Sequence, residues 1–298
     1  MSATARLAYA RGRWYGVRGD LDAARACFQE AIALLEACQS SAYGPWPRTP
    51  MPGTVRDYPC RYTGQRPDLD GGLEDGAWAR APWSEPFLDI EGPDKPKPRF
   101  RTWFKMLWDE RFLYVGALIE EPHVWATYER RDMVVFHEND FEIFIDPDGD
   151  ARGYYEIEVN AKGTIFDLYL HNAYRAGGPA MTQWNCEGLD GSVRVQGTLN
   201  DGRDTDRSWS VEVAIPWSCL KPPADAPAGG AEAARAAAGP GVGDVWRMNF
   251  SRVEWQVEWK DGAYAKVPGT REDNWVWTPQ WAVDMHRPEH WGNVRFTR

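Results

Sequence analysis

The chain of 298 residues has few cysteines, no basic cluster and no long apolar run. Its five cysteines are scattered and include no Cys-x-x-Cys pair, which predicts ordinary thiols instead of a disulfide framework or a zinc site. A formal net charge of −10 without clustered lysine or arginine argues against nucleic acid as a partner. No stretch has the apolar length of a membrane span or signal peptide. As written, the sequence predicts a soluble cytoplasmic protein with no membrane partner, or a secreted one if the true start lies upstream.

Common enzyme signatures are also missing. The sequence contains no Gly-x-Ser-x-Gly elbow, no His-Glu-x-x-His, no Walker loop and no Gly-x-Gly-x-x-Gly. A glycosidase needs two carboxylates on either side of one bond, and no motif singles out such a pair among 44 acidic residues. These absences favour a non-catalytic protein, with a cryptic O-glycosyl hydrolase as an alternative.

Tryptophan is abundant, with 17 in the chain. Tryptophan is rarely buried completely and favours surfaces that are apolar at one side and wet at the other. Some of these side chains should therefore be displayed.

Residues 1–40 differ from the rest, because they are alanine-rich and carry apolar residues at helical spacing. Gly19 and Asp20 are typical of a helix stop followed by a helix start, so the pattern predicts a helical hairpin. The hairpin resembles one tetratricopeptide repeat. A single repeat cannot bury its own face, so we expect it to pack on the body, self-associate or bind a partner. A linker rich in proline and glycine follows at 41–57.

Beyond the linker the apolar period changes to two, which predicts a mainly β domain over 58–298. Nine strands are predicted, at 101–108, 112–119, 140–146, 154–160, 164–170, 193–199, 208–215, 245–255 and 291–297. Many short strands without intervening helices predict an antiparallel β-sandwich of immunoglobulin or jelly-roll type. The low-complexity run at 221–244 should be a mobile loop between two strands.

Five pieces of this region resemble the family 9 carbohydrate-binding modules. They are DLDGGLEDGAWARA, LWDERFLYVGALIEEP, NDFEIFIDPDGD, YYEIEVN and MHRPEHWGNVRF, in the same order and at compatible spacing. The resemblance covers about four fifths of the chain. It implies a β-sandwich that binds gluco- or xylo-saccharides without catalysis, in association with glycoside hydrolases and polysaccharide breakdown, and calcium in some members.

The family's acidic strand carries a glutamate with an aromatic residue six positions earlier, and these positions are Glu142 and Phe136 here. A sugar ring lies with its C–H face on an aromatic ring, while its hydroxyls need carboxylates, amides or guanidinium groups. Glu142 is either a ligand of the sugar or a solvated strand residue. Phe136 is either a stacking platform or a core residue.

Further sugar-binding positions follow from the same resemblance. Asn160 matches a family asparagine near the sugar, but the expected arginine two residues earlier is Glu158. Met285 stands where the family has its second aromatic wall. The nearby or additional candidates are Trp277, Trp281, Trp125 and Arg252, each with core packing or, for Arg252, a carboxylate pair as the alternative.

Metal sites are weakly indicated. Asp146, Asp148 and Asp150 have the first spacings of a calcium loop, but the twelfth position is Ile157, so a plain turn is expected. Asp70 and Glu121 resemble positions near the family's structural calcium. His286 and His290 are separated by Pro288, which excludes the helix that would align them on zinc.

Two other functions remain open. Related sandwiches hold haem b for electron transfer, and Met106, Met133, His123 and His286 are the available ligands here. Alternatively, the helical hairpin binds a partner and the sandwich is its scaffold.

Overall fold

Alternating apolar and polar residues build the strands of the protein. A computed structural model describes residues 55–74, 76–224, 226 and 236–298. The strands are β1 (Asp57–Tyr62), β2 (Leu88–Asp89), β3 (Thr102–Trp108), β4 (Phe112–Glu120), β5 (Asp140–Asp146), β6 (Arg152–Asn160), β7 (Ile165–Asn172), β8 (Ala180–Met181), β9 (Asp190–Gln196), β10 (Ser208–Pro216), β11 (Val245–Glu254), β12 (Val257–Lys260), β13 (Ala263–Lys266), β14 (Asp273–Val276) and β15 (Gly292–Thr297). Short 3-10 helices occupy Trp78–Arg80, Val135–His137, Tyr174–Ala176, Trp217–Cys219 and Pro288–His290.

All nine predicted strands are confirmed, as β3, β4, β5, β6, β7, β9, β10, β11 and β15. Their ends differ most at β9, which runs from Asp190 to Gln196 where 193–199 was predicted. The sequence pattern did not reveal β1, β2, β8, β12, β13 or β14. Strand β1 contains Pro59, which has no N–H to donate to a neighbouring strand and is uncommon within strands. The other five strands have only two to four residues each, too few to show a clear alternation.

The strands form one continuous sheet with the order β8-β7-β6-β5-β11-β15-β1-β3-β4-β10-β9, while β12 and β13 pair separately. Most neighbours are antiparallel, as predicted. Strand β1 differs, because it pairs in parallel with both β15 and β3. The sheet is therefore mixed, and β1 connects its two halves.

The two halves pack face to face as a sandwich. The main core contains Phe141 and Ile143 from β5 together with Val211 and Val213 from β10. Phe104 on β3 stacks on Phe250 on β11 with ring centroids 3.9 Å apart. This packing confirms the predicted sandwich.

Each half also has a covered outer face. On one side, Trp78 and Leu73 cover Tyr114 and Ala214, and the Trp78 indole N–H donates to Glu212. On the other side, an outer cluster covers β5, β6 and β7 and includes Phe144, Tyr154, Leu168, Met285 and Trp291. Loops therefore shield parts of the sheet that an isolated sandwich would expose.

The prediction of ordinary thiols is wrong for two cysteines, because Cys186 and Cys219 form a disulfide. They are 33 residues apart in the chain, and their Cα atoms are 4.9 Å apart. Cys186 follows β8 and Cys219 ends the 3-10 helix after β10, so only the folding of the sheet brings them together. Cys60 is a buried free thiol.

Three predictions concern residues that are not described, or only partly. The helical hairpin at 1–40 lies outside the described residues, as do most of the linker at 41–57 and the centre of the loop at 221–244. Pro50–Arg298 forms one compact unit. In the described part of the chain, no helix has the length and apolarity to cross a membrane.

Candidate functional site

Four acidic side chains lie on the outer face of β5 and β6, and we call Asp140, Glu142, Glu156 and Glu158 the acid cluster. Alternation places Asp140 and Glu142 on the same face of β5, and Glu156 and Glu158 on the same face of β6. The antiparallel register sets Glu142 directly opposite Glu158. None of the four is more than 5 % exposed. Glu142 is therefore not the solvated strand residue that its sequence context allowed.

The carboxylates of the acid cluster have few hydrogen-bond donors. Asp140 Oδ1 accepts from the Val253 N–H at 3.2 Å, but Asp140 Oδ2 has no partner among the described residues. One oxygen each of Glu156 and Glu158 also lacks a donor in the described part of the chain. Ser251 on β11 lies directly across from Glu142, yet its hydroxyl oxygen makes no hydrogen bond of normal geometry. Buried polar groups in proteins are nearly always paired, so this cluster is unusual.

Burial raises the pKa of every member of the cluster. It raises the pKa of Glu142 to about 7, while the nearby Ser251 hydroxyl opposes this shift. The pKa of Asp140 is raised by burial and by the charge of Glu142. Burial and neighbouring carboxylates raise the pKa of Glu158, which when protonated donates to Glu156. At neutral pH the four groups cannot all be ionised without a counter-charge.

Aromatic and imidazole groups cover one end of the acid cluster. His286 shares a 3.0 Å hydrogen bond with the Tyr154 hydroxyl, and its Nε2 lies 4.0 Å from Glu156 Oε2. The ring of Tyr174 lies 4.4 Å from that of His286 and is half exposed. Burial and the charges of Glu156 and Glu158 raise the pKa of Tyr174 to about 12. Tyr174 was not predicted, because it lies in a loop without a motif. Glu156 was detectable, since it alternates with Glu158 in YYEIEVN.

Trp281 is displayed by an unusual backbone. Its φ is +60°, a left-handed value that is rare for bulky residues. The backbone is held by a hydrogen bond from the Trp281 N–H to the Ile90 carbonyl at 3.0 Å. One part of the indole packs on Gly92, where an added Cβ would fall 2.6 Å from the ring, and the side chain is 43 % exposed. The result is a braced, accessible aromatic face.

Phe136 is also accessible, with 40 % of the side chain exposed, so it is not a core residue. It lies in the 3-10 helix Val135–His137, and the first residue of this helix, Val135, packs in the same outer cluster as Phe144. Its carbonyl accepts a 3.1 Å hydrogen bond from the Trp255 indole. The loop position of Phe136 is therefore anchored on both sides.

Other predicted sugar-binding residues are buried. The Asn160 amide nitrogen donates to the Tyr128 carbonyl, and its oxygen accepts from the Lys162 and Thr164 N–H groups. Trp277 is fully buried in the main core and donates to Glu85. These two side chains stabilise the surrounding loops and core in this conformation.

Trp125 and Met285 are nearly buried as well. The Trp125 indole N–H has no acceptor among the described residues. Met285 packs in the outer cluster, and its carbonyl accepts from the Trp291 indole. The aromatic wall expected at Met285 is thus absent from that position, while Trp281 stands four residues earlier.

Arg252 is buried between two carboxylates. Its Nη2 donates to Glu121 and Glu254, each at 2.7 Å, and its Nη1 donates to the Glu120 carbonyl. Its guanidinium carbon also lies 5.1 Å from the ring centre of Trp275. The carboxylate pairing that the sequence left open as an alternative is therefore present.

The predicted metal residues lie in different surroundings. Asp70 is exposed and pairs with Arg194 at 2.7 Å, whereas Glu121 is buried against Arg252. Asp146 accepts from the Gly149 and Ala151 N–H groups in a turn, and one carboxylate oxygen each of Asp146, Asp148 and Asp150 lies within 4.8 Å of the other two. Of the haem-ligand candidates, Met106 lies in the main core and His286 lies against the outer cluster.

The chain is similar to several known proteins. A proposed carbohydrate-binding protein from Bacteroides uniformis superposes with a TM-score of 0.58 at 17 % identity, covering 81 % of this chain and 99 % of that one. A family 9 module from Caldicellulosiruptor kristjanssonii, solved with cellotriose, has a TM-score of 0.46 at 14 % identity, covering 81 % and 94 %. Endo-1,4-beta-xylanase A of Thermoanaerobacterium saccharolyticum is 24 % identical over 118 residues, which are 40 % of this chain and only 8 % of the xylanase.

The family comparison covers the greater part of the described chain. The model for "Carbohydrate family 9 binding domain-like" proteins matches residues 69–264. This range begins before the 3-10 helix Trp78–Arg80 and ends within β13. It therefore includes the acid cluster and the 3-10 helix that contains Phe136. The chain therefore belongs to the carbohydrate family 9 binding domain-like family.

Proposed function

We propose that this protein binds gluco- or xylo-saccharides without catalysis, and that the sugar ring stacks on Trp281. Membership of the family supports saccharide binding. Similarity to part of a xylanase supports a role beside enzymes of polysaccharide breakdown. The strongest single observation is the way in which Trp281 is presented.

A left-handed backbone at a tryptophan is strained, and such strain persists only where surrounding contacts maintain it. At Trp281 these contacts are the hydrogen bond to Ile90 and the support of Gly92. The indole is thereby fixed before any ligand arrives. A fixed aromatic face suits the C–H face of a pyranose and loses little side-chain entropy on binding.

Phe136 and Tyr174 are additional exposed rings for stacking, at 40 % and 50 % exposure. Glu142, Asn160, Arg252, Trp125, Trp277 and Met285 remain candidates by family resemblance. Since all six are buried here, we assign direct contact with the sugar to the three exposed rings. The buried residues shape and support the surface.

Burial of the acid cluster favours binding over hydrolysis. A glycosidase must place two carboxyl groups on opposite sides of one glycosidic bond. The four carboxylates are at most 5 % exposed, so a polysaccharide cannot lie between two of them in this conformation.

We also propose that the protein works outside the reducing cytoplasm. The Cys186–Cys219 disulfide supports this, because such bonds persist mainly in oxidising compartments. Thiol alkylation and mass spectrometry of protein from its native cells would test it. Recovery of both cysteines as free thiols would contradict the proposal.

Isothermal titration with cellobiose, xylobiose and their reduced alditols tests the sugar proposal, with tryptophan fluorescence in parallel. We expect heat of binding with at least one disaccharide, and Trp281→Ala should weaken the affinity by about fivefold, since stacking contributes about 1 kcal/mol. Trp83→Ala is the matched control, because Trp83 is also 43 % exposed but lies over Lys105, on β3. Equal affinities for wild type and Trp281→Ala, or no binding at all, would overturn the proposal. Reducing-sugar release from xylan would instead support a hydrolase.

A further inference from the structure

Three members of the acid cluster converge on one point. A carboxylate oxygen from each of Asp140, Glu142 and Glu158 lies within 4.8 Å of the other two. All three side chains are at least nine-tenths buried. They come from adjacent strands, with Glu142 and Glu158 directly opposite each other, so the sheet itself holds them in place.

Among the described residues, these three carboxylates have few hydrogen-bond donors and no ion-pair partner. Asp140 Oδ2 and Glu158 Oε2 have no hydrogen-bond partner among the described residues, and the fully buried Ser251 hydroxyl lies beside Glu142 without one of normal geometry. Arg252, whose charge acts on Asp140, is itself held by Glu121 and Glu254. In the described part of the chain, no lysine or arginine pairs with Asp140, Glu142 or Glu158. An uncompensated buried carboxylate is costly, and three together are more so.

We propose that Asp140, Glu142 and Glu158 bind one hard divalent cation, with calcium as the best match. Calcium takes oxygen ligands at about 2.3 to 2.6 Å, so two ligands of one ion can be about 5 Å apart. The observed separations fit within that span without movement of the strands. The Ser251 hydroxyl and the unpaired oxygen of Glu156 are further oxygen donors on the same face.

The cation would act as a cross-link between β5 and β6, and through Ser251 to β11. It would neutralise like charges that otherwise repel across the paired strands. The site is different from the Asp70 and Glu121 positions that the sequence suggested.

Metal analysis of the purified protein tests this inference directly. Elemental analysis before and after prolonged EDTA treatment measures resident metal, and calorimetry of the EDTA-treated protein with CaCl2 or MgCl2 measures rebinding. We expect one calcium ion per chain and a higher melting temperature when calcium is added. Asp140→Asn and Glu158→Gln should each weaken calcium binding by about tenfold or more, since ligand charge tunes calcium affinity.

Stability distinguishes loss of a ligand from loss of the fold. Without metal, Glu158→Gln should melt at a higher temperature than wild type, because it removes a like charge, and calcium should no longer raise that temperature. Asp148→Asn is the matched control, because Asp148 belongs to the second group of three nearby carboxylates, in the Asp146 turn. Absence of calcium binding by the wild type would overturn the inference. So would unchanged binding by Glu158→Gln, or loss of binding in Asp148→Asn or Asp70→Asn instead.

Discussion

Glu142 on β5 and Glu158 on β6 are direct cross-strand partners, although both are acidic and buried. Like charges at directly opposed positions destabilise a sheet. The family resemblance predicts an arginine at position 158, where the chain has glutamate. Glu142 and Glu158 repel each other when both are ionised. The acid cluster must therefore take up protons or a cation.

The first prediction is a pH dependence of stability in EDTA. The pKa of Glu142 is raised to about 7 in the folded protein from the ordinary 4.5, so folding favours the protonated form. This contribution is fully present below pH 4.5 and is lost as the pH rises through 7. Thermal unfolding measured between pH 4.5 and 8 should show that the free energy of unfolding falls more steeply with pH for wild type than for Glu142→Gln. The difference should be roughly 1 to 3 kcal/mol across the range. Glu187→Gln, an exposed acid, should keep the wild-type slope. Equal slopes in wild type and Glu142→Gln would contradict the prediction.

The second prediction concerns His286. Burial lowers its pKa to about 4, so the imidazole is neutral in the folded protein. The contribution of neutral His286 to the stability of the fold is fully present above pH 6.5 and is lost as the pH falls through 4. The contribution of Glu142 is instead lost as the pH rises. Titration of the His286 ring protons by NMR should give a midpoint below 5. A midpoint above 6 would show that the imidazole is solvated and that the cover over Glu156 is open.

The third prediction separates structure from ligand binding at Arg252. Arg252→Met leaves Glu121 and Glu254 buried without their counter-ion, so we expect a loss of about 3 to 5 kcal/mol in the free energy of unfolding. Urea unfolding measures this loss. The triple variant Arg252→Met, Glu121→Gln, Glu254→Gln should recover most of it. A stable Arg252→Met protein that no longer binds sugar would instead favour a direct role in recognition.

The fourth prediction is that the disulfide stabilises the domain. It closes a loop with a sequence separation of 33, for which chain-entropy arguments give about 3 to 4 kcal/mol. Dithiothreitol should therefore lower the melting temperature of wild type. The double variant Cys186→Ala/Cys219→Ala should melt at the temperature of reduced wild type, with or without dithiothreitol. Insensitivity of wild type to reduction would contradict the prediction, provided that mass spectrometry confirms the reduced state.

Much of the fold was predictable because most strands have an alternating pattern of residues in the local sequence. In DFEIFID, apolar residues on one face alternate with acidic or aromatic residues on the other, and the strand is observed at Asp140–Asp146. Strand β1 lacks a clear pattern of this kind, because Pro59 interrupts it. Its partners β15 and β3 are also distant in the chain. Its parallel pairing depends on those distant strands.

The candidate site was predictable only in part. The family resemblance pointed to Glu142 and Trp281, but it could not show that one is buried and the other displayed. Glu142 is buried where β5 lies between Glu158 of β6 and Ser251 of the distant β11, and the display of Trp281 depends on its contact with Gly92. Cys186 and Cys219 were misjudged for the same reason, since their distance is set by the sheet.

The sequence by itself determined which residues alternate on each strand, because side-chain direction in a strand follows from backbone geometry alone. It thereby placed Glu156 and Glu158 on one face of β6 and Asp140 and Glu142 on one face of β5. Only the tertiary structure decided that these two faces meet, that the four carboxylates are buried, and that no lysine or arginine among the described residues forms an ion pair with Asp140, Glu142 or Glu158. Electrostatic consequences depend on distance and burial in space, and neither is a local property of the chain.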